Sequence, residues 1–206
     1  MVIMKKLPTQ LRCGPKPLVS EFVQARNYES GARKTGFMKP VGGMWTSTYD
    51  TAFEEGWPAW CIGENFHLEH LNEAYLLEPV ECRVIELAGF DQCHAFMARY
   101  GRQLHSLPSS ADRWFMEPGA DPERVYARAY EHFDTPSMAC PVWEDVMADA
   151  DCVRLLTPYA MNVRLGPYLC FNGWDCESTV WLRWKFEGQA TKVDLSSQIK
   201  RHKLAV

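Results

Sequence analysis

Several familiar signatures are missing from this 206-residue chain, and each absence closes a functional class. There are eight cysteines but no Cys-x-x-Cys, so paired-thiol zinc ribbons and thioredoxin-type redox motifs have no support. GxGxxG, GxxxxGK[ST] and GxSxG are absent, which removes the standard dinucleotide, P-loop and α/β-hydrolase readings. His67-Leu68-Glu69 could open the HxE half of a zinc deaminase, but the PCxxC half is lacking. His67 and His70 lie three apart without a third ligand block at recognisable spacing, so no metal is expected. No apolar run is long enough to cross a membrane and no stretch reads as a signal peptide, so no membrane partner is expected. Reduced thiols in a cytoplasmic protein are the expectation. Basic residues do not dominate: 22 Lys and Arg face 26 Asp and Glu, a net charge of −4, which argues against a broad nucleic-acid-binding surface.

What the chain has in quantity is aromatic and apolar material. Hydrophobic residues make up 47% and charged residues 23%, the balance of a globular domain of ordinary size. Eight tryptophans call for either a large core or an aromatic-lined cleft suited to a flat ligand.

The late stretch Gly173-Trp174-Asp175-Cys176-Glu177-Ser178-Thr179-Val180-Trp181-Leu182 is the most informative. Asn172-Gly173 marks a turn, and the β-branched and aromatic residues after it mark a strand expected to run through Phe186. Alternation predicts Asp175, Glu177, Thr179 and Trp181 on one face and Cys176, Ser178, Val180 and Leu182 on a core face. The two carboxylates would then stand roughly 6–7 Å apart. Their repulsion, on the order of 2–3 kcal/mol at an effective dielectric near 20, asks for a cation, hydrogen bonds or a catalytic task. A solvated strand entrance accounts for the same letters.

Further back, Lys39-Pro40-Val41-Gly42-Gly43-Met44-Trp45-Thr46-Ser47-Thr48 predicts a glycine turn leading into a hydroxyl-rich strand. Such a turn lets backbone approach a ligand closely, and it equally suits a plain hairpin. Leu18 to Arg26 is expected to be a first strand, with Arg26 at its end, and Glu81 to Leu87 and Asp151 to Thr157 are expected to be others. Helices are predicted within Glu55–Glu69, over Phe90–Tyr100, Pro122–Phe133 and Val142–Ala148. Residues 1–17 read as a loose leader, 18–187 as a single α+β domain and 188–206 as a tail.

Arg26, the strand through Trp45-Thr46-Ser47 and the late Asp175-Cys176-Glu177 together resemble the Arg, Ser-Thr-Ser, (Gln/Glu)-x-Glu order of ADP-ribosyltransferases. The blocks Lys39-Pro40-x-Gly-Gly-Met-Trp-Thr-Ser and Gly-Trp-Asp-x-Glu-Ser-Thr-Val-Trp also look like those of a family of small uncharacterised proteins of tailed bacteriophages. The transferase resemblance implies an α+β fold of two facing mixed or antiparallel sheets with helices outside, and NAD as co-substrate. It implies that Arg26 binds NAD phosphate and ribose, with Gly43, Trp45 and Thr46 lining the NAD site. Ser47 would hold the nicotinamide ribose, Glu177 would stabilise the oxocarbenium-like centre, and Asp175 would orient or deprotonate the acceptor. The acceptor, a host protein or nucleic acid, is left open, as is simple hydrolysis of NAD. Asp175 is shorter than the family's Gln or Glu, Trp45 replaces the first hydroxyl, and Arg33 could stand in for Arg26. A catalytically inert phage protein that binds a host protein or a nucleotide is the alternative from another class, and a different N- or O-glycosidic hydrolase is a third.

Overall fold

Eight of the ten strands form one mixed sheet, accompanied by five α-helices, in a computed structural model that describes residues 1–26, 39–103, 121–136, 139–156, 168–171 and 174–205. The strands of the sheet are β1 (Val2–Lys5), β2 (Gln10–Cys13), β3 (Met44–Thr48), β4 (Ala74–Pro79), β5 (Cys82–Leu87), β8 (Cys152–Leu155), β9 (Ser178–Trp181) and β10 (Phe186–Val193). They run in the order β1-β5-β8-β9-β3-β2-β4-β10. All neighbours are antiparallel except β5 and β8. A parallel pair needs a long crossover, and here it carries α2 (Phe90–Tyr100), α3 (Pro122–Tyr130), α4 (Trp143–Asp149) and a two-stranded ribbon of β6 (Gly101–Gln103) with β7 (Ala139–Pro141).

The ladder is continuous because β3 pairs with β2 on one side and β9 on the other, where two facing sheets are expected. The sheet nonetheless bends over on itself. Four strand spacings of about 4.8 Å would hold β9 and β10 roughly 19 Å apart in a flat sheet. Yet the rings of Trp181 on β9 and Phe186 on β10 lie 4.4 Å apart. Leu77, Val84, Cys152, Trp181 and Phe186, drawn from both halves, form one buried cluster inside this bend. A second core covers the outer face of the β5-β8-β9 half with Phe96, Met97, Trp143 and Val146 of the crossover helices. A third packs α1 (Trp57–Gly63) and α5 (Ser196–Ala205) against β2 and β4 through Leu11, Cys61, Ala74 and Leu195.

Local chemistry explains the boundaries. Helix α2 spans the residues expected, its apolar Cys93, Phe96, Met97 and Tyr100 at helical spacing all buried between Gly89 and Gly101. In α3 the Asp121 side chain accepts the Glu123 N–H at 3.1 Å, and Pro122 occupies the first turn. The late strand ends at Trp181 rather than running through Phe186, where β10 begins, but its alternation holds over 177–182: Val180 and Leu182 enter the crossover core while Trp181 faces the bend.

Other expectations need correcting. Residues 1–17, read as a leader, supply β1 and β2, and the stretch from 188, read as a tail, completes β10 and forms α5. The strand expected over Leu18–Arg26 is instead a short 3-10 turn at Val19–Glu21, and the chain after it is tied to the sheet region by the Gly43 N–H to the Val23 carbonyl at 2.7 Å, the Ala25 N–H to the Leu182 carbonyl at 3.4 Å and a bridge of Arg26 to Val41. Gly173, Arg33 and most of the segments expected as loops over 101–122 and 158–172 lie outside the described residues.

Asp151 ties the end of α4 to the β5-β8-β9 half. It is 3% exposed and accepts from the Arg83 backbone N–H at 2.9 Å and from the Arg83 guanidinium at 3.1 Å, with Arg183 and Lys185 also close. Burial alone would raise its pKa, but the Arg83 hydrogen bonds and the Lys185 and Arg83 charges outweigh it and hold the carboxyl below 3.8. An acid depressed in the folded state contributes stability that is present above the unfolded value and lost as the pH falls through the folded one. Asp151→Asn should therefore cost about 1–3 kcal/mol at neutral pH, towards the low end because its cationic partners are about a third exposed. Urea unfolding of both proteins should show this gap shrinking as the pH is taken below 3.8.

Candidate functional site

A cleft of about 340 Å³ opens beside β2 and β3, walled by Arg12, Lys39, Trp45, Trp57, His70 and Asp175. That volume is at the small end of the range of roughly 300–1,000 Å³ usual for ligand pockets. Strand pairing sets Trp45 opposite Val180, and its indole packs edge-on against Trp174 at 4.7 Å. The Lys39 ammonium stands 4.8 Å from the centre of the Trp45 ring, a cation–π contact. Arg12 on β2 donates to the Trp45 carbonyl at 3.3 Å, which fixes the guanidinium at the same wall.

The electrostatics favour an anionic ligand. Burial lowers the pKa of Arg12, an effect partly opposed by Cys13. It lowers that of Lys39 as well, against the pull of Asp175 and Cys176. Two cations short of solvation gain from a counter-charge that enters the cleft. Burial pushes the wall thiols Cys13 and Cys176 up to about 12, which disfavours the thiolate form.

Trp45, Thr46, Ser47 and Asp175, four of the residues singled out from the sequence, line this one cleft. Ser47 also works behind the wall. Its hydroxyl accepts the Trp57 N–H at 2.9 Å, at the start of α1, and donates to the Glu177 carbonyl at 3.1 Å. The Thr46 hydroxyl accepts from the Trp181 indole at 2.9 Å and donates to Gln10 Oε1 at 2.6 Å. Gly43 has a φ of +70°, and a Cβ there would stand 2.8 Å from the Trp181 carbonyl. The close approach that needs a glycine is thus to β9, and Gly43 is not on the described cleft wall. Arg26 is exposed and paired through its backbone to Val41, also off that wall.

Asp175 and Glu177 go different ways. Strand β9 begins only at Ser178, so the strict alternation that would place both carboxylates on one face does not reach back to Asp175. Asp175 is half-buried on the cleft wall. Glu177 is 1% exposed, and its carboxylate accepts the Thr48 N–H at 2.9 Å, the Thr48 hydroxyl at 2.9 Å and Arg154 Nε at 3.1 Å. Arg154 continues to the Thr48 hydroxyl at 2.9 Å and Glu86 at 3.4 Å, and Glu86 to Lys5 at 2.8 Å. The compensation that a buried carboxylate requires is therefore supplied by the protein itself.

Arg12, Trp57, His70 and Arg154 were not among the residues expected at a site. Arg12 sat in the supposed leader, although Leu11 and Cys13 flanking it carry the period-two pattern of a half-buried strand. Removing one member of a buried, hydrogen-bonded ion pair strands the other. Glu177→Ala should lower stability by about 3–5 kcal/mol and Glu177→Gln by less, as read from denaturant unfolding. A loss below about 1 kcal/mol for the alanine variant would show that Glu177 does not clamp the fold.

Against protein-family models, curated proteins and solved structures alike, nothing matches this chain.

Proposed function

We propose that the cleft binds NAD and that the protein is an ADP-ribosyltransferase or NAD glycohydrolase. The observation that carries this reading is the convergence of Trp45, Arg12, Lys39 and Asp175 on one concave surface. An indole face suits a flat base, two desolvated cations suit a pyrophosphate, and a carboxylate suits the positive charge that develops at a ribose carbon. The cleft takes the reacting half of the dinucleotide, with the remainder extending past its mouth.

In the reaction the bond from C1′ to the nicotinamide nitrogen breaks, and its electron pair leaves with nicotinamide. Asp175 stabilises the oxocarbenium-like carbon and takes the proton from the acceptor hydroxyl, amine or water as that group bonds to C1′. Glu177 acts at one remove. Its backbone carbonyl holds the Ser47 hydroxyl, and its carboxylate holds Thr48, so it positions the β3 wall. The acceptor class follows from the phage resemblance: a host protein or nucleic acid, or a defence component.

A second reading, an inert binder of a nucleotide or host protein, is favoured by one observation. The carboxylate expected to do the central chemistry, Glu177, has its hydrogen bonds made inside the fold. Calorimetric titration of NAD followed by mass analysis of the recovered nucleotide separates the two. The native protein should bind NAD and release nicotinamide. Lys39→Ala should weaken binding by about tenfold, and Asp175→Asn should slow release by about 100-fold or more while binding is retained. Binding without cleavage by the native protein would support the inert reading, and no binding at all would remove NAD as the ligand.

A further inference from the structure

The turn that follows α1 carries a side-chain constellation that the NAD reading does not use. Leu68–Asn72 is a 3-10 turn, with His67 at its start in a left-handed conformation, φ 47° and ψ 39°. A 3-10 helix has three residues per turn, so side chains three apart eclipse one another. The imidazoles of His67 and His70 accordingly stack, their planes 5° apart and their centres at 4.6 Å. Glu69 reaches both rings, its Oε1 2.8 Å from His67 Nδ1 and 4.0 Å from His70 Nε2. One ligand atom from each of the three residues falls within a sphere of mutual distances no greater than 4.8 Å, the one such group of three or more among the described residues. The third ligand that spacing alone did not reveal is the residue between the two histidines.

From this geometry we infer a divalent transition-metal site formed by His67, Glu69 and His70, of the two-imidazole, one-carboxylate class that suits zinc. Ligand bonds of about 2.0–2.1 Å in a tetrahedral arrangement require donor atoms roughly 3.3 Å apart. The two carboxylate-to-imidazole separations, 2.8 and 4.0 Å, bracket that value, and the parallel imidazoles turn toward each other for both nitrogens to meet one ion. All three side chains are between 45% and 67% exposed, so they are free to make the adjustment. Three protein donors leave at least one coordination position for water or an exogenous ligand, the pattern of open rather than purely structural sites. His70 is also on the wall of the cleft described above, so the site adjoins that cleft. The nitrogen and oxygen donor set favours zinc, nickel or copper over magnesium or calcium.

The test uses the metal alone on the full chain, which separates it from the NAD reading. Titration of zinc chloride into the reduced protein should show one tight site per chain. Outer-shell partners of a metal already cost 10–100-fold in affinity, so loss of a ligand in His67→Ala or His70→Ala should weaken binding by at least about tenfold. The cobalt-substituted protein should show d–d absorption without the intense thiolate charge-transfer band that any of the eight free cysteines would give. Because the residues are exposed, both variants should keep the native circular dichroism spectrum. Absence of stoichiometric binding, binding unchanged in the double variant, or a thiolate band would each overturn the proposal.

Discussion

The Arg154 guanidinium, its side chain 12% exposed and set among three strands of the sheet, makes the interaction on which the rest of the structure depends. It contacts the Glu177 carboxylate, the Glu86 carboxylate and the Thr48 hydroxyl, and so joins β8 to β5, to the end of β3 and to the chain just before β9. A planar fork of fixed donors can satisfy several acceptors at once in a way that a lysine cannot. The cost of burying these charges is large, and only the completeness of the hydrogen bonding offsets it. Trp181, Thr46 and Gln10 extend the polar seam from β9 across β3 to β2 with uncharged partners.

This seam sets the position of the cleft. Ser47 and Thr48 are held to Glu177 from behind, which leaves Trp45 on the same strand to meet Lys39 and Arg12 at the cleft. The start of α1 is pinned to β3 by the same Ser47 hydroxyl, and this brings Trp57 to the wall. Structural hydrogen bonding and the cleft wall therefore share one strand, with alternate demands placed on neighbouring residues. A substitution in the seam will disturb the cleft without touching a ligand.

Helices were the most legible elements, because their apolar side chains repeat at helical spacing: α2 runs over the residues its sequence indicates, and α4 is displaced by only one position. Strand β3 was equally legible from Met44-Trp45-Thr46-Ser47-Thr48. Strands β1 and β2 were not, since Pro8, Pro15 and Pro17 punctuate a basic stretch and the pairing that makes it a sheet comes from β4 and β5, far along the chain. Strand β10 is an edge with mostly exposed side chains, so it shows no apolar alternation to read. At the cleft, the sequence marked strand β3 and Asp175, but the pairing of Asp175 with Glu177 on one face does not occur, because Glu177 turns inward to Thr48 and Arg154. The sequence did not show that the partner of Glu177 is Arg154, because only the β8–β9 and β3–β9 pairing brings those residues together.

The proposed ligand chemistry lies at Trp45 and Asp175 on the cleft wall, with Glu177 buried away from it. Nuclear Overhauser contacts between nucleotide protons and the indoles of the isotope-labelled protein test it most directly. The account predicts contacts from the bound base to Trp45 and none to Trp181, whose indole N–H is already given to Thr46. Contacts to Trp181, or a bound nucleotide that leaves Trp45 untouched, would contradict it.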